Sequence, residues 1–181
     1  ESWIDRVRSV SGEVITVAPA CHIRGAEAAL EIDRVRIGDE RDIVLRPQLK
    51  WVWEAVPDGG YAGFSTAVEW SDDERRITTY SVNAPLSWDL DQFLVHANIG
   101  YDRVRGDGGS WRGGGAVEWP LLSRVDVIAE VFREFNVTAG RGGMRLHLAE
   151  AWSVDASYLA ETTSGGLRAY TLGLNWLVDV R

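Results

Sequence analysis

The sequence predicts an all-β fold: an antiparallel up-and-down transmembrane β-barrel of about ten strands, with twelve as the alternative, and with both termini periplasmic. Three observations predict it. Apolar and polar residues alternate with a period of two from about residue 25 to the end, as strands with one apolar face do. Trp51, Trp53, Trp88, Trp119, Trp152 and Trp176 all fall on the apolar face, each at the same end of its segment. That placement matches an aromatic girdle at a membrane interface. Tight connections also alternate with polar or Gly-rich ones, the pattern of short turns at one rim and longer loops at the other.

Composition bounds the reading. The chain has 181 residues, enough for one domain or one mid-sized barrel. It is 45% hydrophobic, yet its mean hydropathy is only −0.14. Apolar residues are therefore dispersed, and no run is long enough for a transmembrane helix. The net charge of −8 argues against nucleic acid and against binding to an anionic membrane surface. Cys21 is the single cysteine, which rules out an intrachain disulfide and a cysteine-based zinc site. No signal peptide is visible at Glu1, so the chain is expected to be mature or trimmed. Val17-Ala18-Pro19-Ala20-Cys21 has a little of the form of a lipoprotein cleavage site, but no long apolar run precedes it.

Residues 1–24 are expected to form a periplasmic arm or plug, because Ile4 and Val10 share their face with Arg6 and Arg8. The barrel then occupies residues 25–181. Strands are expected at roughly 25–37, 42–56, 61–71, 76–89, 92–104, 111–121, 124–135, 143–150, 151–161 and 167–179. In the second of these, Ile43, Leu45, Leu49, Trp51 and Trp53 alternate with Val44, Arg46, Gln48, Lys50 and Glu54. In the fifth, Phe93, Val95, Ala97, Ile99 and Tyr101 alternate with Leu94, His96, Asn98, Gly100 and Asp102. Connections at Ser87–Asp91, Pro120–Arg124 and Ala149–Trp152 read as tight. Those at Gly38–Arg41, Ser71–Arg75, Arg105–Ser110, Asn136–Gly143 and Thr162–Gly166 read as longer. Val56–Tyr61 is a longer connection on the tight side. An even strand number puts both termini at the tight, tryptophan-bearing rim.

The face opposite the tryptophans is the expected lumen. It carries Arg46, Lys50, Glu54, Glu69, His96, Glu118, Asp126, Glu130, Arg145 and His147 among many small residues. Ionisable and small side chains suit a wet or ion-paired interior. Glu118 is expected opposite Asp126, and Glu130 opposite His147, with Arg145 and Asp155 nearby. Two close carboxylates and a histidine are also a loose metal-site pattern, but an ion-paired wall is the preferred reading and no metal site is assigned. A soluble lipocalin-like barrel with inverted faces is the structural alternative. The glycine runs 106–109 and 113–115 read as exposed loop and small lumen residues, since no helix follows to cradle a phosphate.

The phrases His96-Ala-Asn-Ile-Gly-Tyr-Asp102, Gly115-Ala-Val-Glu-Trp-Pro120, Val127-Ile-Ala-Glu-Val131, Gly143-Met-Arg-Leu-His147 and Trp152-Ser-Val-Asp-Ala156 carry a resemblance. Residues 92–179 resemble the phenol-degradation-pathway family of outer-membrane transporters and related small barrels. The resemblance implies an antiparallel barrel in the bacterial outer membrane with a transport role. The chain departs from such barrels by ending Val178-Asp-Val-Arg181 rather than on an aromatic residue. Two functions are therefore expected: a narrow channel or transporter for small solutes, or a structural barrel of an envelope assembly. The partners expected are outer-membrane lipid and an envelope protein reached through residues 1–24 or the loops. No cofactor is expected. No G-x-S-x-G turn or credible Cys–His pair is present, so an outer-membrane enzyme is the least favoured class.

Overall fold

The computed structural model describes residues 2–9, 12–23, 25–56 and 59–177. In chain order the strands are β1 (Ser2–Ser9), β2 (Gly12–Ala18), β3 (Ala20–Ile23), β4 (Ala26–Ile37), β5 (Glu40–Val56), β6 (Gly60–Ser71) and β7 (Arg76–Asp89). They continue as β8 (Leu94–Val104), β9 (Gly108–Leu122), β10 (Val125–Glu134), β11 (Val137–Ala149), β12 (Trp152–Glu161) and β13 (Arg168–Trp176). All belong to one antiparallel sheet. β1 closes it, pairing with β2 on one edge and with β13 on the other, Ser2 opposite Trp176 and Ser9 opposite Ala169. The first and last strands thus put both ends of the described chain at one rim.

β2 and β3 are a single stave of the wall. β2 lies on β4 from Gly12↔Ile37 to Val17↔Ile32, and β3 continues from Ala20↔Ala29 to Ile23↔Ala26. The interruption is Pro19, which has no N–H to donate. Its carbonyl still accepts the Leu30 N–H at 3.0 Å, and the Ser2 hydroxyl accepts the Ala20 N–H at 3.1 Å. The thirteen strands therefore make twelve staves, the alternative count rather than ten.

The two additional staves come from residues 2–9 and 12–23 of the stretch expected to be an arm or plug, and these residues are wall. Ser2–Ser9 and Gly12–Ile23 are built into the wall. Arg6 and Arg8 obscured this, because the outer face of β1 is charged and the apolar alternation fails there. Val17-Ala18-Pro19-Ala20-Cys21 is wall as well. Glu1, Val10, Ser11, Arg24, Pro57 and Asp58 of the Val56–Tyr61 connection, and Val178–Arg181 lie outside the described residues.

The stretch read as a loop at Asn136–Gly143 is mostly strand. Only Phe135 and Asn136 turn, with φ of 47° and 64°, between Glu134 and its partner Val137. Two successive left-handed residues are the hairpin geometry that matches strand twist. Gly140, Gly142 and Gly143 mimic loop composition, yet they lie in β11. β9 likewise begins at Gly108, inside a stretch read as loop. The expected contrast between rims is correspondingly weak. At the rim away from the tryptophans, the far rim, the described connections run from two residues (Gly38–Asp39) to six (Thr162–Leu167).

Register assigns the faces. The side chains of Ile99, Val131 and Leu172 point out and are 57%, 57% and 59% exposed, whereas Asp33, Asp102 and Asp126 point in and are at most 9% exposed. No large side chain is fully buried among the described residues. This is the inverse of a lipocalin-like barrel. The six tryptophans form an outward belt at one rim, with Trp152 against Trp176 at 6.1 Å and Trp119 against Phe93 at 6.1 Å between ring centroids. A second belt, unnoticed in the sequence, lies toward the far rim. It includes Tyr80, the Tyr101–Trp111 pair at 5.2 Å and the Tyr158–Tyr170 pair at 4.9 Å.

If residues 2–23 are wall, their deletion opens the sheet along β4 and β13. The truncated chain is expected to lose the compact, heat-sensitive gel mobility of a closed barrel. Retention of that mobility would restore the arm assignment.

Candidate functional site

The inward face of the wall is the candidate site. Arg46, Lys50 and Glu54 project inward from β5, Glu69 from β6, His96 from β8, Glu118 from β9, Asp126 and Glu130 from β10, and Arg145 and His147 from β11. Glu54 lies next to a register irregularity and is exposed at the tryptophan rim. Strand alternation alone puts these side chains on one face. Ring closure then turns that face into an interior.

Two arginines organise opposite walls. Arg46 on β5 binds Glu31, Glu69 at 2.8 Å and Asp33 at 3.8 Å. Asp33 also accepts the Thr16 hydroxyl at 2.6 Å, and Glu69 accepts Thr78 at 3.0 Å. Arg145 on β11 donates to both oxygens of Asp155, at 2.9 and 3.3 Å, and lies 3.6 Å from Glu118. Asn175 donates to Asp155 at 2.9 Å. β5 and β11 are six staves apart in a ring of twelve, so the two clusters face each other across the lumen. Each carboxylate has charge-assisted partners, which offsets part of its desolvation.

Smaller pairs complete the wall. His147 Nε2 lies 2.6 Å from Asp126, Ser87 Oγ lies 2.8 Å from His96 Nδ1, and Lys50 lies 3.9 Å from Glu27. Glu130 is opposite Arg141, not His147, with 3.5 Å between charges. The two-residue turn at Phe135–Asn136 fixes that register. Glu118 is opposite Ile128, and Asp126 is opposite Pro120. The two acids are diagonal neighbours, not a facing pair; the register shift at Val125/Asp126 moves Asp126 from opposite Leu121 to opposite Pro120 and so onto the face of Glu118.

Arg112 is the main residue missed. It lies in the expected strand 111–121 but was not named among the lumen residues, and it projects inward from β9 opposite Gly100. A Cβ on Gly100 would sit 2.8 Å from Arg112 Nε and from the Val82 carbonyl oxygen, so the glycine makes room for the guanidinium. Arg112 reaches Asp102 at 3.5 Å and Glu134 at 3.9 Å. The signal available in the sequence was the alternation Arg112, Gly114, Ala116, Glu118 running back from a recognised strand.

The lumen is hollow beside these clusters. One cavity of about 490 Å³ is lined from β4 through β10, including Glu31, Arg46, Glu69, Asp102, Arg112 and Glu134. A second of about 230 Å³ is lined by Asn83, Asn98, Arg112, Glu130, Phe132 and Arg141 among others. Arg112 borders both. Among the described residues no three His, Cys, Asp or Glu side chains converge as a metal would need. The Ser87–His96 pair has no carboxylate within salt-bridge distance of the imidazole among the described residues, so no hydrolytic triad is formed there.

The chain matches no protein-family profile and no curated protein sequence. Its fold is matched by solved structures of outer-membrane barrels. The NanC porin superposes with a TM-score of 0.76 at 12% identity, covering 98% of this chain and 100% of that one. The KdgM porin gives 0.76 at 10% identity over 98% and 99%, and it has also been solved in complex with disordered oligogalacturonate. The outer membrane phospholipase A of Escherichia coli gives 0.58 at 10% identity over 97% and 89%. The likeness establishes the fold, a closed antiparallel barrel. It does not reach the phenol-degradation-pathway family, which none of these matches supports.

Arg46→Ala leaves Glu31, Asp33 and Glu69 facing one another without their shared cation. Removing one partner of a buried ion pair costs about 3–5 kcal/mol, and the half-open lumen reduces this to roughly 1–3 kcal/mol by solvent screening. The expected result is a lower urea midpoint for loss of the compact gel form. An unchanged midpoint would show that the cluster is held by water alone.

Proposed function

We propose that this chain is an outer-membrane barrel that conducts small hydrophilic solutes through a narrow lumen, with cations favoured over anions. The observation that carries the proposal is the polar cavity of about 490 Å³ lined from seven consecutive staves. Its charge balance supports the sign of the preference. Arg46, Arg112 and Arg145 meet seven carboxylates: Glu31, Asp33, Glu69, Asp102, Glu134, Glu118 and Asp155. A low-dielectric wall focuses that surplus on whatever passes. The KdgM complex holds oligogalacturonate, a polyanionic sugar chain. The present lumen suits the opposite charge, so the similarity of fold is not extended to that substrate.

Several features support the membrane setting. A closed ring leaves no unpaired strand edge for lipid to meet. The outer surface is apolar between two aromatic belts, as a lipid-facing band is. The tryptophan rim, which carries both ends of the described chain, is assigned to the periplasmic side and the far rim to the outside. The phospholipase match has no counterpart in a catalytic array of this lumen, so an enzymatic role is not proposed.

One observation favours a second reading, a sealed structural barrel. Arg112 and its partner Glu134 line both cavities, and Arg112 binds across strands there. With residues 2–23 in the wall, an envelope partner would meet only the rim connections.

In planar bilayers, stepwise conductance with a cation-selective reversal potential under a KCl gradient is expected. Arg112→Ala should raise the single-channel conductance. Silence at every voltage would establish the sealed barrel instead, and anion selectivity would overturn the charge argument.

The faces are tested by neighbours on β8. Ile99→Arg places a cation on the lipid side and should destabilise the inserted barrel by about 2–4 kcal/mol if it lies near the bilayer midplane. Asn98→Arg points into the lumen and should leave stability nearly unchanged. Equal losses in a denaturant titration would contradict the assignment.

A further inference from the structure

The outer wall carries charge, and that charge is segregated. Outward-facing positions hold Arg6 and Arg8 on β1, Arg34 and Arg36 on β4, and Arg41 on β5. Arg103 on β8, Arg133 on β10 and Arg168 on β13 continue the series. Among the described strand residues, the single outward-facing acid is Glu13 on β2. Every one of these side chains lies toward the far rim. The outward-facing strand positions at the tryptophan rim carry uncharged residues instead, mostly tryptophan and aliphatic side chains. This happens in a chain with 27 acids against 19 lysines and arginines, so composition does not explain it.

Pairing does not neutralise the belt. Glu13 binds Arg6 and lies 3.6 Å from Arg36. Arg34, Arg41, Arg103 and Arg168 are exposed and form no salt bridge among the described residues. Two clefts lie along the belt. One, of about 410 Å³, combines Arg34, Arg41 and Arg75 with outward Ile43 and with Asp42, Asp72 and Asp73. Asp42 is already engaged by the Ser71 hydroxyl at 2.7 Å and the Asp73 N–H at 3.0 Å. The other, of about 520 Å³, combines Arg103 and Arg105 with Tyr80.

We propose that this arginine belt seats the phosphate groups of lipid headgroups in the leaflet that borders the far rim. The proposal rests on the membrane-spanning reading above. Guanidinium groups match phosphate geometry in a bidentate way. Their aliphatic stems lie along apolar surface while the charge stays at headgroup level, which the neighbouring Tyr80 and Ile43 permit. The distribution selects lipid over a protein partner. Six of the eight arginines stand on one arc, β13, β1, β4 and β5, and Arg103 on β8 and Arg133 on β10 carry the belt to the opposite side of the ring. A lipid annulus contacts the whole circumference, whereas a docked protein covers one side.

The test uses the full chain in detergent with either diphosphorylated or dephosphorylated lipid A, with retained lipid counted by native mass spectrometry. The wild type is expected to retain the diphosphorylated form about tenfold better, a modest total for several arginines near an anionic headgroup layer, and to lose the preference in high salt. The R34Q/R41Q/R103Q/R168Q variant is expected to lose most of it. Equal retention of both lipids by the wild type, or full preference in a folded variant, overturns the belt. Displacement of the lipid by inorganic phosphate at matched concentration would reassign the arginines to free phosphate and overturn it too. Heat-dependent gel mobility and detergent dependence are read on the same samples. Protein that stays folded and monodisperse without detergent defeats the membrane reading itself, whereas a detergent-requiring barrel without phosphate preference defeats only the belt.

Discussion

Closure of the sheet through β1 is the contact on which the other features depend. Each strand backbone presents donors and acceptors along two edges, and those groups are costly to leave unpaired away from water. β1 lies between β2 and β13 in continuous register, so the sheet becomes a ring. Only then does alternation acquire an inside and an outside. The same period-two pattern in an open sheet would give two solvent faces and no lumen. The repair at Pro19 has meaning in this light. A proline would ordinarily weaken an interior strand, but its carbonyl and the Ser2 hydroxyl keep neighbouring groups satisfied, and the stave continues through it.

Much of the architecture was legible because lipid-facing and lumen-facing residues differ sharply along β5, β8 and β13. Ile43 to Trp53 and Val95 to Tyr101 alternate cleanly with polar or small partners. The alternation gathers Arg46, Lys50 and His96 on the inward face for that reason, while Glu54 lies exposed at the rim beside a register irregularity. Legibility failed where the outer face ceases to be apolar. β1 and β2 carry Arg6, Arg8 and Glu13 outside, so two staves looked like an arm. It failed again in β11 and at the start of β9, where glycines supply backbone without a hydrophobic signature. Pairing was less legible than facing. A turn shorter than expected by several residues leaves each side chain on its face but changes its partner, and so Glu130 meets Arg141.

The net charge says nothing of how charge is distributed, and the reason is geometric. A whole-chain sum cannot register that acids gather inside and at the connections while arginines occupy the outer wall near one rim. Two local environments of opposite sign coexist within a few ångströms of backbone. The lumen is set by carboxylates crowding Arg46, Arg112 and Arg145. The exterior is set by arginines with little to answer them. A wall one strand thick keeps these environments apart, and register decides which one a given residue joins.

The paired aromatic belts fix a thickness as well as a depth. Tyr80 and Trp88 lie on one strand, as do Trp111 and Trp119. At about 3.3 Å per residue and a tilt of about 40°, each pair spans roughly 20 Å along the barrel axis. An ordinary bilayer has about 30 Å of hydrocarbon. On the membrane-spanning reading, lipids next to this barrel would shorten or splay wherever the hydrocarbon is thicker than that, at a cost that grows with every ångström of mismatch. The molecule would then act as a gauge, sitting at least cost in a thin membrane and drawing a compressed collar of lipid around itself in a thick one.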